Sequence, residues 1–158
     1  AHEPSKFIRH AQLEPGCAPL GVITAGLDER QLDALAAAVD NLWTPEGESP
    51  PNVPIAVLGA ADLRRGTRLR DVLAQLGARD CVIPTQPAKV KPPLVLFSGF
   101  STVQTTAAVR AIRAAVPPAQ NERLMFAVAV PNALDKPIRM LCDELKGDHE
   151  ANTRRAEW

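Results

Sequence analysis

Pro92-Pro93-Leu94-Val95-Leu96-Phe97-Ser98-Gly99-Phe100-Ser101 decides the fold, because it repeats an earlier stretch, Pro19-Leu20-Gly21-Val22-Ile23-Thr24-Ala25-Gly26-Leu27-Asp28. Each is a short apolar run, a glycine, a large apolar residue and a helix-capping residue. An offset of about 73 residues pairs Gly26 with Gly99, Leu27 with Phe100, Asp28 with Ser101, Gln31 with Gln104, Leu35 with Ala108 and Val39 with Ile112. An apolar run that stops at glycine reads as a strand turning tightly into the next element. Asp28 with Gln31, and Ser101 with Gln104, have the spacing of a capping box, and Leu27 with Leu32 that of a hydrophobic staple. Leu32, Leu35, Ala36, Val39 and Trp43 then recur at helical period, with Trp43 as a core anchor at the helix end.

Outward from these repeats, Val53 to Leu58 is continuously apolar and reads as a fully buried strand. Leu69, Val72, Leu73 and Leu76 mark a second helix, closed by Gly77 at its C′ position. Cys81-Val82-Ile83-Pro84 reads as a short edge strand, since Pro84 cannot donate to a ladder. The second half follows the same order: strand Leu94 to Phe97, a helix capped by Ser101, strand Leu124 to Val130, and a helix carrying Ile138, Leu141, Cys142 and Leu145. Pro137 stands in the first turn of that last helix and Gly147 just past its end. Its stripe aligns with the Leu69 stripe at an offset of about 69, the change falling in the loops.

The expected fold class is α/β: a single domain, residues 18–147, of two pseudo-equivalent β-α-β-α halves (18–83 and 91–147) around a four- to five-stranded sheet. Strands within each half should be parallel, because a helix-containing crossover joins them. Residues 1–17 read as an N-terminal arm, and 148–158 as a C-terminal tail or helix extension. Prolines at 45–54, 84–93 and 117–118 stiffen the connections.

Lysine plus arginine, 18, equals aspartate plus glutamate, 18, so no whole-molecule field draws the protein to nucleic acid or an anionic membrane. No uncharged apolar run approaches the roughly 18 to 20 residues needed to span a bilayer, and the chain reads as soluble. Cys17, Cys81 and Cys142 lack the CxxC spacing of zinc or dithiol chemistry, which favours a reducing compartment. Cys142 falls on an apolar helix stripe and reads as a small core residue.

The candidate chemistry is sparse. Gly26 and Gly99 stand between strand and helix, where phosphate-binding loops present backbone N–H groups. Neither carries the further glycines of a dinucleotide fingerprint or a GK[ST] sequence, so the ordinary reading is a glycine that permits the turn. Ser98 adjoins Gly99 without the G-x-S-x-G of a nucleophile elbow. His2, His10 and His149 all fall in the arms, where no base is held rigidly against Ser98. No spacing of histidines or carboxylates suggests a metal, and no cofactor is implied. An enzyme using Ser98 or Cys81 is the third of three readings.

Arg64, Arg65, Arg68 and Arg70 crowd what reads as the start of the second helix, where the macrodipole disfavours cations. They are the candidate partner-binding residues. The plainer reading is a solvated face balanced by Asp62 and Asp71. No aromatic residue is interleaved with these arginines to stack bases, which discounts nucleic acid.

Leu94-Val95-Leu96-Phe97-Ser98-Gly99-Phe100-Ser101, followed by an amphipathic helix, a hydrophobic strand, Val130-Pro131-Asn132 and a closing Leu141-Cys142-Asp143-Glu144-Leu145-Lys146, resembles the bacterial domain family DUF3783. The first half is similar to the region that precedes this domain in those proteins, which extends the resemblance over residues 18–150. The chain departs from the family in its proline-rich loops, in Asp135-Lys136-Pro137 and in its N-terminal arm. The resemblance supports the architecture and supplies no catalytic residues.

The chain begins at Ala1 and is rich in alanine and arginine, the pattern expected of a processed organelle protein of a photosynthetic alga, so the expected compartment is the chloroplast stroma, or otherwise a reducing soluble compartment. The expected function is a non-catalytic protein-binding module, an accessory or assembly factor docking on a larger plastid complex. The alternative is a small-anion or metabolite-binding regulatory domain that uses the turns at Gly26 or Gly99, with Ser98 beside the latter.

Overall fold

The computed structural model describes residues 19–43, 53–116 and 123–156. The expectations for the N-terminal arm, for Cys17, for most of the 45–54 loop, for Pro117-Pro118 and for the Trp43 side chain lie outside the described residues.

Four strands, β1 (Gly21–Ala25), β2 (Ile55–Val57), β3 (Leu94–Ser98) and β4 (Met125–Val128), form one mixed sheet in the order β2-β1-β3-β4. β1 pairs in parallel with β2, and β3 in parallel with β4, while the central pair, β1 with β3, is antiparallel. The expected parallel pairing within each half is therefore present, and the sheet has four strands among the described residues.

The central register pairs two residues 73 apart in the chain. Val22 N–H donates to the Pro54 carbonyl and the Thr24 carbonyl accepts from Leu58 N–H, each at 2.9 Å, so both residues address β2. Ile23 is left to address β3. The Phe97 carbonyl accepts from Ala129 N–H at 2.8 Å, so Leu96 in turn addresses β1. Ile23 and Leu96 are paired in the register, each the middle residue of its strand, and they stand at the offset that relates Gly26 to Gly99.

The helices are α1 (Glu29–Asp40), α2 (Ala60–Arg64), α3 (Leu69–Ala74), α4 (Leu76–Arg79), α5 (Thr102–Ala115) and α6 (Ile138–Ala156). α1 and α5 cover one face of the sheet, where Leu35, Val39, Ala108 and Ile112 pack on Val22, Val95 and Phe97. On the other face Leu69, Val72, Leu73, Ile138 and Leu141 pack on Ile23, Ala56 and Leu96. The alternation along β1 and β3 divides their side chains between the two cores, as a sheet covered on both faces requires.

Both capping boxes form. Gln31 N–H donates to Asp28 Oδ1 at 2.8 Å and Asp28 N–H to Gln31 Oε1 at 2.9 Å. Ser101 Oγ accepts from Gln104 N–H at 3.1 Å, and Ser101 N–H donates to Gln104 Oε1 at 2.7 Å. Gly26 (φ 85°) and Gly99 (φ 77°) make the strand-to-helix turns with left-handed backbone.

Several local expectations are corrected. The single second helix of the first half is three short ones. Gly66, at φ 67°, breaks the chain after α2, and Gln75 interrupts it between α3 and α4. Gly77 consequently sits inside α4 and is not a C′ residue. Cys81–Pro84 is not a strand: Cys81 adopts φ 59°, and only an isolated bridge joins Asp80 to Ala56. That segment seals the outer edge of β2, with the Asp80 carboxylate accepting from Ile55 N–H and Cys81 N–H donating to the Ile55 carbonyl, each at 2.9 Å. Gly147 lies within α6, which runs on to Ala156, so the segment from Asp148 onward begins as a helix extension.

Candidate functional site

The arginine-rich segment is split between two helices. Arg64 ends α2 and Arg65 caps its C-terminus, a place the helix dipole favours for cations, in contrast to the expected helix start. Arg68 and Arg70 flank the start of α3, and all four side chains are exposed. Arg70 forms an exposed ion pair with Asp135 at 2.7 Å, whereas Arg64, Arg65 and Arg68 form none with a described residue.

Asp62 does not balance them. Its buried carboxylate accepts from Gly59 N–H at 2.9 Å and takes both terminal nitrogens of Arg79, at 2.9 and 3.0 Å. Burial pushes this carboxyl up, but the hydrogen bonds from Arg79 and Gly59 and the Arg79 charge outweigh it and hold the carboxyl below its ordinary value. Asp71 is likewise committed, accepting from Arg68 N–H at 3.1 Å.

Main-chain bonds fix the turn to the start of α6. Leu69 N–H donates to the Lys136 carbonyl at 3.1 Å, and Ile138 N–H to the Thr67 carbonyl at 2.7 Å, around an antiparallel bridge between Arg68 and Pro137. Arg64 is thereby brought beside Arg139. Leu63, Arg64, Gly66, Pro137, Arg139 and Asp143 are among the residues lining an open cleft of about 480 Å³. A second cleft, of about 280 Å³, shares Leu63, Arg139 and Asp143 and adds Lys89, Lys91 and Lys146. Across the two, Arg64, Arg139, Lys89, Lys91 and Lys146 are all exposed and none forms an ion pair with a described residue. Asp143 faces both clefts, while Glu144, at the first, is taken by Lys136 at 2.8 Å. The result is a band of excess positive charge along one side of α6.

Of these five, Arg64 alone is a candidate in the sequence, because the other four come from the 89–91 connection and from α6 and meet only in the fold. The seven-residue spacing of Arg139 and Lys146, two helical turns, was the one local signal that they share a face.

The turns at Gly26 and Gly99 lie at opposite ends of the sheet, because β1 and β3 are antiparallel, so they cannot share a ligand. Gly26 lines a cleft of about 390 Å³ with Asp28, Gln31, Lys89 and Lys91. A Cβ on Gly26 would sit 2.2 Å from the Val90 carbonyl oxygen, so close backbone packing as well as the turn requires glycine there. At the other turn, Ser98 is wholly buried and its hydroxyl donates to the Pro19 carbonyl at 2.6 Å. Ser98 thus has a structural task and Ser101 is engaged as a cap.

Cys81 and Cys142, the two described cysteines, form no disulfide among the described residues. Burial, followed by the hydrogen bond and charge of Asp80, raises the Cys81 thiol, and burial, with Asp143 nearby, raises Cys142 to about 11. Both shifts run opposite to those that activate a nucleophilic thiolate. His149 is half-buried on α6, and His2 and His10 lie outside the described residues. No described helix is long and apolar enough to cross a membrane.

Residues 93–151 match the family model of DUF3783, a domain of unknown function. The match opens just before β3 and closes within α6, narrower than the 18–150 span of the resemblance in the sequence. It takes in Ser98, Gly99, Arg139 and Lys146 and leaves out Arg64, Lys89 and Lys91. No curated protein and no solved structure matches the chain. The second half of the chain, from β3 into α6, is similar to the DUF3783 domain.

Proposed function

We propose that the protein is a non-catalytic protein-binding module, an accessory or assembly factor that docks an acidic surface of a larger complex on the band formed by Arg64, Arg139, Lys89, Lys91 and Lys146. The observation that carries this reading is that five cations from three separate segments converge on two adjoining clefts without a described carboxylate partner. Charges left unneutralised on one face steer encounter and select a partner of opposite sign. A plastid stroma as its compartment is part of the same proposal and rests on composition alone.

The two halves belong to this reading as a duplicated unit. Ile23 meets Leu96 at the offset of the first repeat, and Arg68 meets Pro137 at the offset of the second. A local twofold relating the halves accounts for both pairings, since an axis between two copies brings each residue on it against its own counterpart.

A small-anion site is the second reading, favoured by Lys89 and Lys91, which line the Gly26 cleft as well as the basic band. The Asp28 carboxylate in that cleft weighs against it. Gentle extraction of the protein from its source separates the two. A stable acidic protein partner supports the binding module, and a bound phosphate or carboxylate metabolite in a purified, partner-free protein supports the anion site.

A further inference from the structure

β2 and β4 are both edge strands, but their outer edges differ. The edge of β2 is sealed by Asp80 and Cys81, which take the outward N–H and carbonyl of Ile55. β4 has no described strand on its outer side. Met125 N–H donates to the Pro93 carbonyl at 2.7 Å and Ala129 N–H to the Phe97 carbonyl at 2.8 Å, so the backbone groups of the alternate residues, Phe126 and Val128, point outward. Val128 and Val130 are 41% and 48% exposed along this edge. Natural sheets ordinarily blunt such an edge with charge, proline or a bulge, and Met-Phe-Ala-Val carries none of these.

At the Met125 end of the edge, Val116, Leu124, Phe126, Arg113 and Arg123 line a cavity of about 300 Å³. Phe126 forms part of its wall, stacked on Phe97 with ring centroids 6.2 Å apart, while the Arg113 guanidinium lies 5.2 Å from the Phe126 centroid. Both arginines are exposed and neither pairs with a described carboxylate.

We propose that the outer edge of β4 docks an extended segment of a partner protein as a fifth, antiparallel strand, with an apolar side chain of that segment in the Val116-Leu124-Phe126 cavity and its carboxylate on Arg113 and Arg123. Antiparallel pairing directs the C-terminal end of the added strand toward Met125, where the two arginines stand, so a C-terminal carboxylate meets them in register. Main-chain hydrogen bonds provide attachment, and the cavity and the arginines provide selectivity. This inference rests on the protein-binding reading but uses a surface apart from the basic band.

The probe is an acetylated peptide of alternating threonine and valine that ends in aspartate with a free C-terminus, titrated into the full chain. Its control ends in asparagine amide. The free acid should bind and the amide at least tenfold more weakly. Val128→Pro, which removes an outward N–H and leaves the β3–β4 ladder intact, should abolish binding, and Arg113→Glu with Arg123→Glu should weaken it at least tenfold. Unchanged circular dichroism identifies variants that remain folded. Absence of binding at millimolar peptide, or equal binding of acid and amide, overturns the proposal. So does a wild-type dimer that Val128→Pro converts to monomer, since a second copy would then occupy the edge. Loss of a native partner on reversing Arg64 and Arg139, with no peptide binding at β4, would leave the basic-band reading standing and this inference refuted.

Discussion

Ile23 and Leu96, the middle residues of β1 and β3, face each other across the antiparallel centre of the sheet, and both side chains pack into the core that holds Leu69 and Ile138. Each half supplies two parallel strands, and the halves meet strand to strand at this pair. The structure is thus held together by one sheet and two shared cores, with α1 against α5 on one face and the arginine-rich turn against the start of α6 on the other.

Truncating Leu35 or Ile112 to alanine should destabilise the fold by about 2 to 5 kcal/mol, the range for a large buried aliphatic. Both are fully buried in the core under α1 and α5. Ser98→Ala should cost less, about 0.5 to 1.5 kcal/mol, for the hydrogen bond to the Pro19 carbonyl. Urea denaturation of the three variants gives the ordering, and a near-wild-type midpoint for Leu35→Ala would place that stripe outside the core.

Three glycine-to-alanine variants should rank by cause. Gly26→Ala combines left-handed backbone with a 2.2 Å approach to the Val90 carbonyl and should cost about 2 to 5 kcal/mol. Gly66→Ala meets no atom within 4 Å and should lose only about 1 to 2 kcal/mol for its positive φ. Gly77→Ala, in α4 with open space around it, should stabilise by about 0.5 to 1 kcal/mol. Thermal midpoints read the order directly.

Asp62 makes part of the stability acid-labile. Its folded-state pKa is depressed, so its contribution is present in full above the unfolded value of about 3.9 and is lost as pH falls through the lower folded value. Asp62→Asn should cost about 1 to 3 kcal/mol at neutral pH and flatten the acid limb of the stability profile below about pH 4. Denaturation midpoints measured from pH 2 to 7 test this. An acid limb of equal steepness in the variant would assign the effect to other carboxylates.

Arg70→Ala should shift stability by less than about 1 kcal/mol, because its pair with Asp135 is exposed on both sides. A double-mutant cycle with Asp135→Ala measures the pair itself, and a coupling well above that figure would show that the turn depends on it.

The long capped helices were legible in the sequence because their signals are local: Asp28 with Gln31 and Ser101 with Gln104 each specify a start within four residues. The break-up of the second helix was not. It depends on Gly66 adopting left-handed backbone and on Leu69 and Arg70 donating to the Lys136 and Leu134 carbonyls, partners far away in the chain. Cys81–Pro84 has strand-like composition, but Asp80 and Cys81 block the edge of β2 before a ladder can form. The basic band was hidden for the same reason. Lys89, Lys91, Arg139 and Lys146 are unremarkable apart, and only the packing of α6 near the 89–91 connection brings them into one cleft.

The central claim is that the band selects the partner. After the partner is captured from the native source and purified, its affinity is measured by titration for the wild-type chain and for the full-length double variant Arg64→Glu, Arg139→Glu. Both positions are exposed, so the thermal midpoint should correspond to a change within about 0.5 kcal/mol. The account predicts at least a tenfold loss of affinity and a weaker dependence of binding on salt. Equal affinity and equal salt dependence in the folded variant would contradict it.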